Sequence, residues 1–379
     1  MHKRIKILVI FGTRPEAIKM APVVKELEKN KDFFQTVVCV TAQHRQMLDQ
    51  MLSLFDIKAD IDLNIMQENQ TLENFTANAM LRVSEILKKI KPQLLLVQGD
   101  TTTAMIAALA GFYQRIPVGH IEAGLRTQDI YNPFPEEVNR HIISILATFN
   151  FAPTKYAFRM LLGEGISKQR IFLTGNTVID ALQMIIKKAQ TIKYDFKISD
   201  KNKLILVTAH RRENFGRPLK NICRALKEIV RGNEDVEIIY PVHLNPNVKV
   251  PVYRMLFGIK RIHLTTPVDY HELARLLKRA YIVLTDSGGI QEEAPAFGRP
   301  VLVMRKKTER QEGIKANVAK IVGTDTKNIL KNVELLLHNR KEYDKMARAI
   351  NPYGDGHAAK RIVGIIKTNI AKLLPSTLI

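Results

Sequence analysis

Short apolar runs alternate with helix-length amphipathic stretches from one end of the chain to the other, and few folds accept that rhythm. A strand with no polar face must be covered on both sides, which is the condition of a parallel sheet with βα crossovers. Ile5–Phe11, Val37–Thr41, Leu94–Gln98, Val118–Glu122, Asn150–Ala152 and Arg170–Leu173 read as a first series of strands. Leu204–Thr208, Glu237–Tyr240, Tyr281–Thr285 and Val301–Met304 read as a second. Helices fill the gaps; the clearest runs from an N-cap at Thr71 to Ile90, with Pro92 just beyond its end. Lys187–Lys203, polar, basic and aperiodic, separates the two series as a linker. With 379 residues to divide, the expectation is an α/β protein of two Rossmann-like doubly wound domains facing a central cleft. Ligands of such sheets bind outside the carboxyl ends of the strands, so the βα loops are where chemistry is sought.

Unusual residues fall in those loops. In "FGTRPEAIKMAP" (residues 11–22) Thr13 can cap a helix and Pro15 suits its first turn. Arg14 and Lys19 stand near that helix N-terminus, where the helix polarity does not favour cations, so an anion is expected before them. Asp100 follows a strand in "QGDTTTA", and Glu122 ends the next one. Glu136 and Glu137 open a helix in "FPEEVNR". Any one of these acids has an ordinary reading as a cap, but three at the βα loops of one domain suggest a carboxylate-lined active site. In the second series His210 comes directly after a strand, with Arg211 and Arg212 beside it, a setting for phosphate binding or acid–base work. Ser287-Gly288-Gly289 joins another strand to a helix, so unpaired N–H groups point forward and glycine lets a diphosphate approach. Glu292 and Glu293 lie a turn further on; one of them is expected to accept two hydrogen bonds from a vicinal diol such as ribose. "RKKTER" (residues 305–310) is expected to close over the charge as a flexible loop.

Composition excludes other classes. The 58 Lys and Arg against 37 Asp and Glu give a net charge of +21, which invites a nucleic-acid reading. The excess is uneven, 21 basic against 18 acidic residues in 1–180 and 37 against 19 in 181–379, and falls mostly on helical faces. No helix-turn-helix, zinc-finger or RNA-platform pattern accompanies it, so solvated surface plus small anionic ligands is the preferred reading. Cys39 and Cys223 form no metal or disulfide framework, and the apolar run at Ile5–Phe11 is too short for a signal peptide or membrane span; a cytoplasmic protein is expected. "GDGHAA" (residues 354–359) fits a dinucleotide fingerprint but follows no strand and leaves no room for a βαβ unit, so a nicotinamide site is rejected. No metal-ligand cluster, P-loop or nucleophile elbow is present in the sequence.

These stretches, with "TAQHRQMLDQML", "LTGNTVIDAL", "HRRENFGR", "YPVHLNPNV", "TDSGGIQEEAP" and "NPYGDG", closely resemble the non-hydrolysing UDP-N-acetylglucosamine 2-epimerases, in order and nearly from end to end. The resemblance implies a glycosyltransferase-B-like fold, with a first domain of residues 1–175 plus about 360–379 and a second, UDP-binding domain of 176–359. It implies interconversion of UDP-N-acetylglucosamine and UDP-N-acetylmannosamine without cofactor, through 2-acetamidoglucal, by a homodimer that supplies ManNAc units for surface polysaccharide. Asp100, Glu122, Glu136 and His210 resemble the residues implicated in catalysis. Ser287, Gly288 and Gly289 resemble the diphosphate turn, Glu293 the ribose acid, Arg14, Lys19 and Arg310 nucleotide contacts, and Val268 and Leu273 the surroundings of uracil. Gln43, Gln46, Gln70 and His243 resemble a regulatory pocket in which a second UDP-N-acetylglucosamine acts as allosteric activator. No nucleic-acid or membrane partner is implied. Departures are few: Gln311 replaces a usual Pro, Asn317 a usual Gly, and Gln128 and Asn132 replace small residues after the Glu122 loop. A glycosyltransferase of the same fold and a hydrolysing epimerase are the rival readings.

Overall fold

The computed structural model describes residues 4–41, 45–65, 70–188, 199 and 201–370, without the side chains of 45–47. The chain divides into two compact units, Met1–Met184 with Tyr353–Ile379, and Ile185–Pro352. The first unit holds seven strands: β1 (Ile5–Phe11), β2 (Phe34–Val40), β3 (Ile61–Asp62), β4 (Leu94–Gln98), β5 (Val118–Ile121), β6 (Phe149–Ala152) and β7 (Ile171–Leu173). The second holds six: β8 (Lys203–Thr208), β9 (Val236–Pro241), β10 (Ile262–Thr265), β11 (Ile282–Thr285), β12 (Val301–Val303) and β13 (Ala319–Ile321). The orders are β3-β2-β1-β4-β5-β6-β7 and β10-β9-β8-β11-β12-β13, and every pairing is parallel. The expected α/β class holds, with one doubly wound sheet in each unit.

The unbroken apolar runs are explained by what covers them. In the second unit Ile205 and Val207 join one buried cluster while Leu204 and Leu206 join another, so successive residues of β8 face two different helix layers. In the first unit Leu8, Ile10, Leu95 and Val97 pack on Phe75, Ala79, Val83 and Leu87 of the helix Leu72–Ile90. Ile7, Val9, Leu94 and Leu96 are equally buried on the other face. Burying one such side chain contributes roughly 1.5–3 kcal/mol, which is why strand centres admit nothing polar.

Helix ends follow local chemistry. Thr71 caps its helix by accepting from Asn74 N–H, and Lys91 ends it in the left-handed conformation. Thr13 and Glu16 form a reciprocal capping box at the start of the helix Arg14–Lys29. Asn317 and Gln128, which replace small residues of the family pattern, keep left-handed backbones with φ of 60° and 65°.

The division between units falls after Met184 and resumes at Tyr353, beyond 175 and before 360 respectively. The reason is the packing of "NTVIDAL" with the C-terminal segment. Asn176 N–H donates to Tyr353 O (2.7 Å), Arg361 donates to Thr174 O (3.1 Å), and the Asp180 carboxylate accepts from the N–H groups of Ala358 (3.1 Å) and Ala359 (2.9 Å). That carboxylate sits on the N-terminus of the helix Ala358–Asn369, so the amides that "GDGHAA" would offer a phosphate are taken by the protein itself. Most of the expected linker lies outside the described residues.

Candidate functional site

In each sheet the strand order reverses between the first and fourth strands, β1/β4 and β8/β11. Crossovers leave to opposite sides there, and the loops part to leave a crevice. The residues singled out by sequence lie on these loops: Arg14 and Asp100 after β1 and β4, His210 and Ser287–Gly289 after β8 and β11.

At the first switch point Glu16 ties the two loops together. Its Oε2 accepts from Gly12 N–H (3.0 Å) and from the N–H and hydroxyl of Thr13 (both 2.7 Å), while Oε1 accepts from the Thr101 hydroxyl (2.7 Å). Burial pushes the Glu16 carboxyl up from its ordinary value, and these donors oppose it. Sequence reading placed Thr13 as a cap and overlooked its partner, although Thr-x-x-Glu is the capping-box signature.

Asp100 and Glu122 are both held. Arg140 Nε donates to Asp100 Oδ2 (2.8 Å) and its Nη1 to Glu137 Oε2 (2.7 Å), while Asn139 Nδ2 holds the Asp100 carbonyl (2.9 Å). Burial raises the Glu137 carboxyl, but N–H of Gln128, Arg140 and N–H of Thr127 outweigh it and hold it below the ordinary value. Glu122 Oε1 takes Lys19 Nζ and Asn176 Nδ2 (3.1 Å), and Oε2 takes Gln98 Nε2. The anion that Lys19 meets is therefore Glu122. Among the described residues no ionic or hydrogen-bond partner reaches the side chains of Arg14 or Glu136, both half-buried. Of the three acids singled out by sequence, Asp100 and Glu122 are thus fixed while Glu136 is uncommitted among the described residues, enough groups for proton handling on two sides of a substrate carbon.

His120, on β5, was not read from sequence. It is fully buried and its Nε2 donates to Gly99 O (2.7 Å), pinning the turn that carries Asp100. Burial lowers its pKa from 6.5 to about 4, with the Gly99 bond opposing. Between those values the unfolded chain binds the extra proton, so stability falls as pH drops from 6.5 toward 4, by about 3 kcal/mol at the low end. Urea midpoints measured across that range are expected to flatten in His120→Gln; an equally steep decline in that variant would assign the acid sensitivity elsewhere.

At the second switch point Asp286 does the tying. Oδ2 accepts from the N–H groups of His210 and Arg211 and from Asn214 Nδ2, all at 2.9 Å. The His210 ring stacks on His243 with centroids 5.5 Å apart. Ser287 precedes the short helix Gly288–Glu293 without capping it through its side chain, so the leading amides remain available. A Cβ on Gly288 would lie 3.1 Å from Glu309 Oε1 and 3.2 Å from Arg310 Cζ, so a larger residue there would press both side chains back by a few tenths of an ångström. Of the adjacent acids, Glu292 is bonded by Arg310 Nε (2.9 Å); Glu293 is 7% exposed.

Residues 305–310 are laced to the unit. Arg305 bonds Glu213 (2.7 Å) and Glu309 (2.8 Å), Arg310 Nη1 bonds Glu309 (2.9 Å), and Thr308 donates to the buried Gln291 (2.7 Å). Burial would raise the Glu309 carboxyl, but the guanidiniums of Arg310 and Arg305 draw it down to about 2. The expected flexible loop is therefore held by ion pairs at both ends.

Val268 precedes Asp269, the N-cap of the helix Tyr270–Arg279, Leu273 lies in that helix, and both pack partly buried beside Ile290 and Leu276. Gln43 and the Gln46 side chain lie outside the described residues. Gln70 is half-buried just before Thr71; His243 is exposed, its Nδ1 accepting from Asn245 N–H (3.1 Å). Among the described residues no group of three or more His, Cys, Asp or Glu is placed to hold a metal, and no helix is long and apolar enough to cross a membrane.

Residues 25–367 match the family model described as UDP-N-acetylglucosamine 2-epimerase. The chain belongs to that family. A UDP-N-acetylglucosamine 2-epimerase of Campylobacter jejuni is 52% identical over 372 residues, covering 95% of this chain and 97% of the relative. Among solved structures of UDP-N-acetylglucosamine 2-epimerases, the Neisseria meningitidis protein bound to UDP-GlcNAc is 48% identical with a TM-score of 0.87, over 96% of this chain and all of that one. MurG of Acinetobacter baumannii, 14% identical with a TM-score of 0.62 over 97% of this chain and all of that one, shares the fold alone, the glycosyltransferase-B-like architecture expected of this epimerase family.

Proposed function

We propose that the chain interconverts UDP-N-acetylglucosamine and UDP-N-acetylmannosamine by inverting C2 of the hexose. The observation that carries this reading is the near full-length identity to named UDP-N-acetylglucosamine 2-epimerases, 52% in the C. jejuni case. C2 lacks an adjacent carbonyl, so its proton is not acidic while the sugar is intact. Breaking the C1–O bond to release UDP puts positive charge on the ring, and the C2–H electron pair can then form the C1=C2 bond of 2-acetamidoglucal as a base takes the proton. Return of a UDP oxygen to C1, with a proton delivered to the other face of C2, completes the inversion with atoms and charge balanced.

In this reading Asp100, Glu122 and Glu136 of the first unit supply proton transfer on the two faces. The Gly288 and Gly289 amides, with Arg14 and Arg310, stabilise the departing diphosphate, and His210 assists beside them. Ser287 belongs to the same diphosphate turn, Glu293 takes the ribose hydroxyls, and Val268 and Leu273 surround the uracil. Lys19 contacts the nucleotide and also holds the Glu122 carboxylate. The same reading has a homodimer, activation by a second UDP-N-acetylglucosamine near His243, and supply of ManNAc units for surface polysaccharide.

Proton NMR of UDP-N-acetylglucosamine with the purified protein in D₂O tests it. The expected result is the manno epimer with deuterium at C2. Exchange-free transfer to an acceptor would make the protein a glycosyltransferase, and free ManNAc with UDP would make it a hydrolysing epimerase.

A further inference from the structure

Asp286 carries one carboxylate oxygen that the loop contacts leave over. The side chain is fully buried, and three donors converge on Oδ2, which serves them all as acceptor. Among the described residues Oδ1 accepts no hydrogen bond, and His210 Nδ1 faces it at 3.6 Å. A buried carboxylate oxygen without a donor is costly, and a small rotation of the imidazole would supply one. The geometry that would have to be conserved during such a rotation is already fixed. The backbone N–H groups of His210 and Arg211 are anchored on the same carboxylate, and the stacked ring of His243 sets the plane of the imidazole.

We propose that Asp286 is a positioning residue that selects the Nδ1–H form of His210 and turns Nε2, bare or protonated, toward the ligand. The inference rests on the reading that His210 acts on the substrate, and it extends that reading to a residue whose carboxylate, among the described residues, is hydrogen-bonded by the loop that carries the histidine. An acceptor at Oδ1 requires Nδ1 to carry a proton, so a neutral His210 presents Nε2 as a lone pair and a charged one presents it as an N–H donor. Among the described residues no side chain holds Nε2, which leaves that edge for a ligand atom. Position 286 stands directly before Ser287, so one carboxylate would set both the histidine and the start of the diphosphate turn. The charged groups facing the ring are Asp286, His243 and Arg211; burial, His243 and Arg211 disfavour its proton and Asp286 favours it.

The test begins with the wild-type protein. Long-range ¹H–¹⁵N spectra of ¹⁵N-histidine-labelled enzyme, assigned with His210→Ala, should show neutral His210 protonated at Nδ1; protonation at Nε2 overturns the proposal. In Asp286→Asn the amide oxygen can keep the three loop donors while its NH₂ faces Nδ1. The tautomer is then expected to invert, kcat to fall about 10–100-fold with little change in KM, and the acid limb of the kcat profile to move to lower pH, since the negative charge that holds the proton is gone. Placed in the His210→Ala background, Asp286→Asn should cost nothing more. A further loss there as large as in the wild-type background would show that Asp286 acts on the loop and not through the ring, and would overturn the proposal. Should His210→Ala turn over like the wild type, the assigned role of His210 fails, while the tautomer still tests the pairing itself.

Discussion

Asp100→Asn and Glu122→Gln are each expected to lower kcat by about 10²–10⁴-fold, the range that loss of a general acid or base produces. Their effects on stability should differ, and the difference separates chemistry from folding. The Asp100 side chain is 27% exposed and shares Arg140 with Glu137, so an asparagine there leaves Arg140 its second carboxylate and should stay within about 1 kcal/mol of wild type. Glu122 is 6% exposed in its side chain and accepts from Lys19, Gln98 and Asn176 at once. A glutamine must point its NH₂ at one of these donors, which strands a buried polar group at about 1–3 kcal/mol. Among the described residues the Glu136 side chain has no partner to lose, so Glu136→Gln isolates the proton-transfer effect with stability unchanged. Turnover by NMR and urea unfolding on the same samples make the comparison. Wild-type-like kcat in both Asp100→Asn and Glu122→Gln would remove these acids from the mechanism.

How much of this was legible beforehand depended on distance along the chain. β1 and β4 begin and end where their apolar runs do, because central strands of a parallel sheet are buried on both faces and keep their polar residues, Lys6 and Gln98, near an end. The strands missed are β3, β10 and β13, all at sheet edges. Half-covered strands tolerate His263 and Lys320, so "IHLT" and "AKI" show no continuous run. The candidate site divides in the same way. Charged residues next to a strand end stand out in a linear reading, hence Asp100, Glu122, His210 and the Ser-Gly-Gly turn. The groups that hold them come from sequence separations of 40 and 76 residues, as with Arg140 on Asp100 and His210 on Asp286, and depend on strand order, which no local pattern encodes. The 305–310 segment shows the same limit. Its expected closure over the ligand charge was read from six residues alone, and Glu213 and Glu292, which pair with it, lie elsewhere in the sequence.

Replacing Arg310 tests that lacing. Its guanidinium bonds Glu292, whose side chain is 3% exposed, and Glu309, which is 25% exposed. Arg310→Met keeps much of the apolar stem and removes the charge, so Glu292 is left buried without it; breaking a buried pair from one side costs about 3–5 kcal/mol. The urea midpoint should fall accordingly with an unchanged slope. The pH dependence carries a second signature. Glu309 titrates near 2 in the folded protein against an ordinary 4.5, so its contribution is complete above 4.5 and is lost as pH falls toward 2. Without Arg310 the folded value moves up toward 4.5 and this acid-side loss shrinks. Adding Glu292→Gln removes the charge that Arg310 balanced, and Arg310→Met with Glu292→Gln should recover most of the stability. It should not recover UDP affinity, measured calorimetrically, if Arg310 also meets the diphosphate as proposed. Recovery of both would make Arg310 a structural cation alone, and leave the Gly288 and Gly289 amides as the principal anchor of the diphosphate.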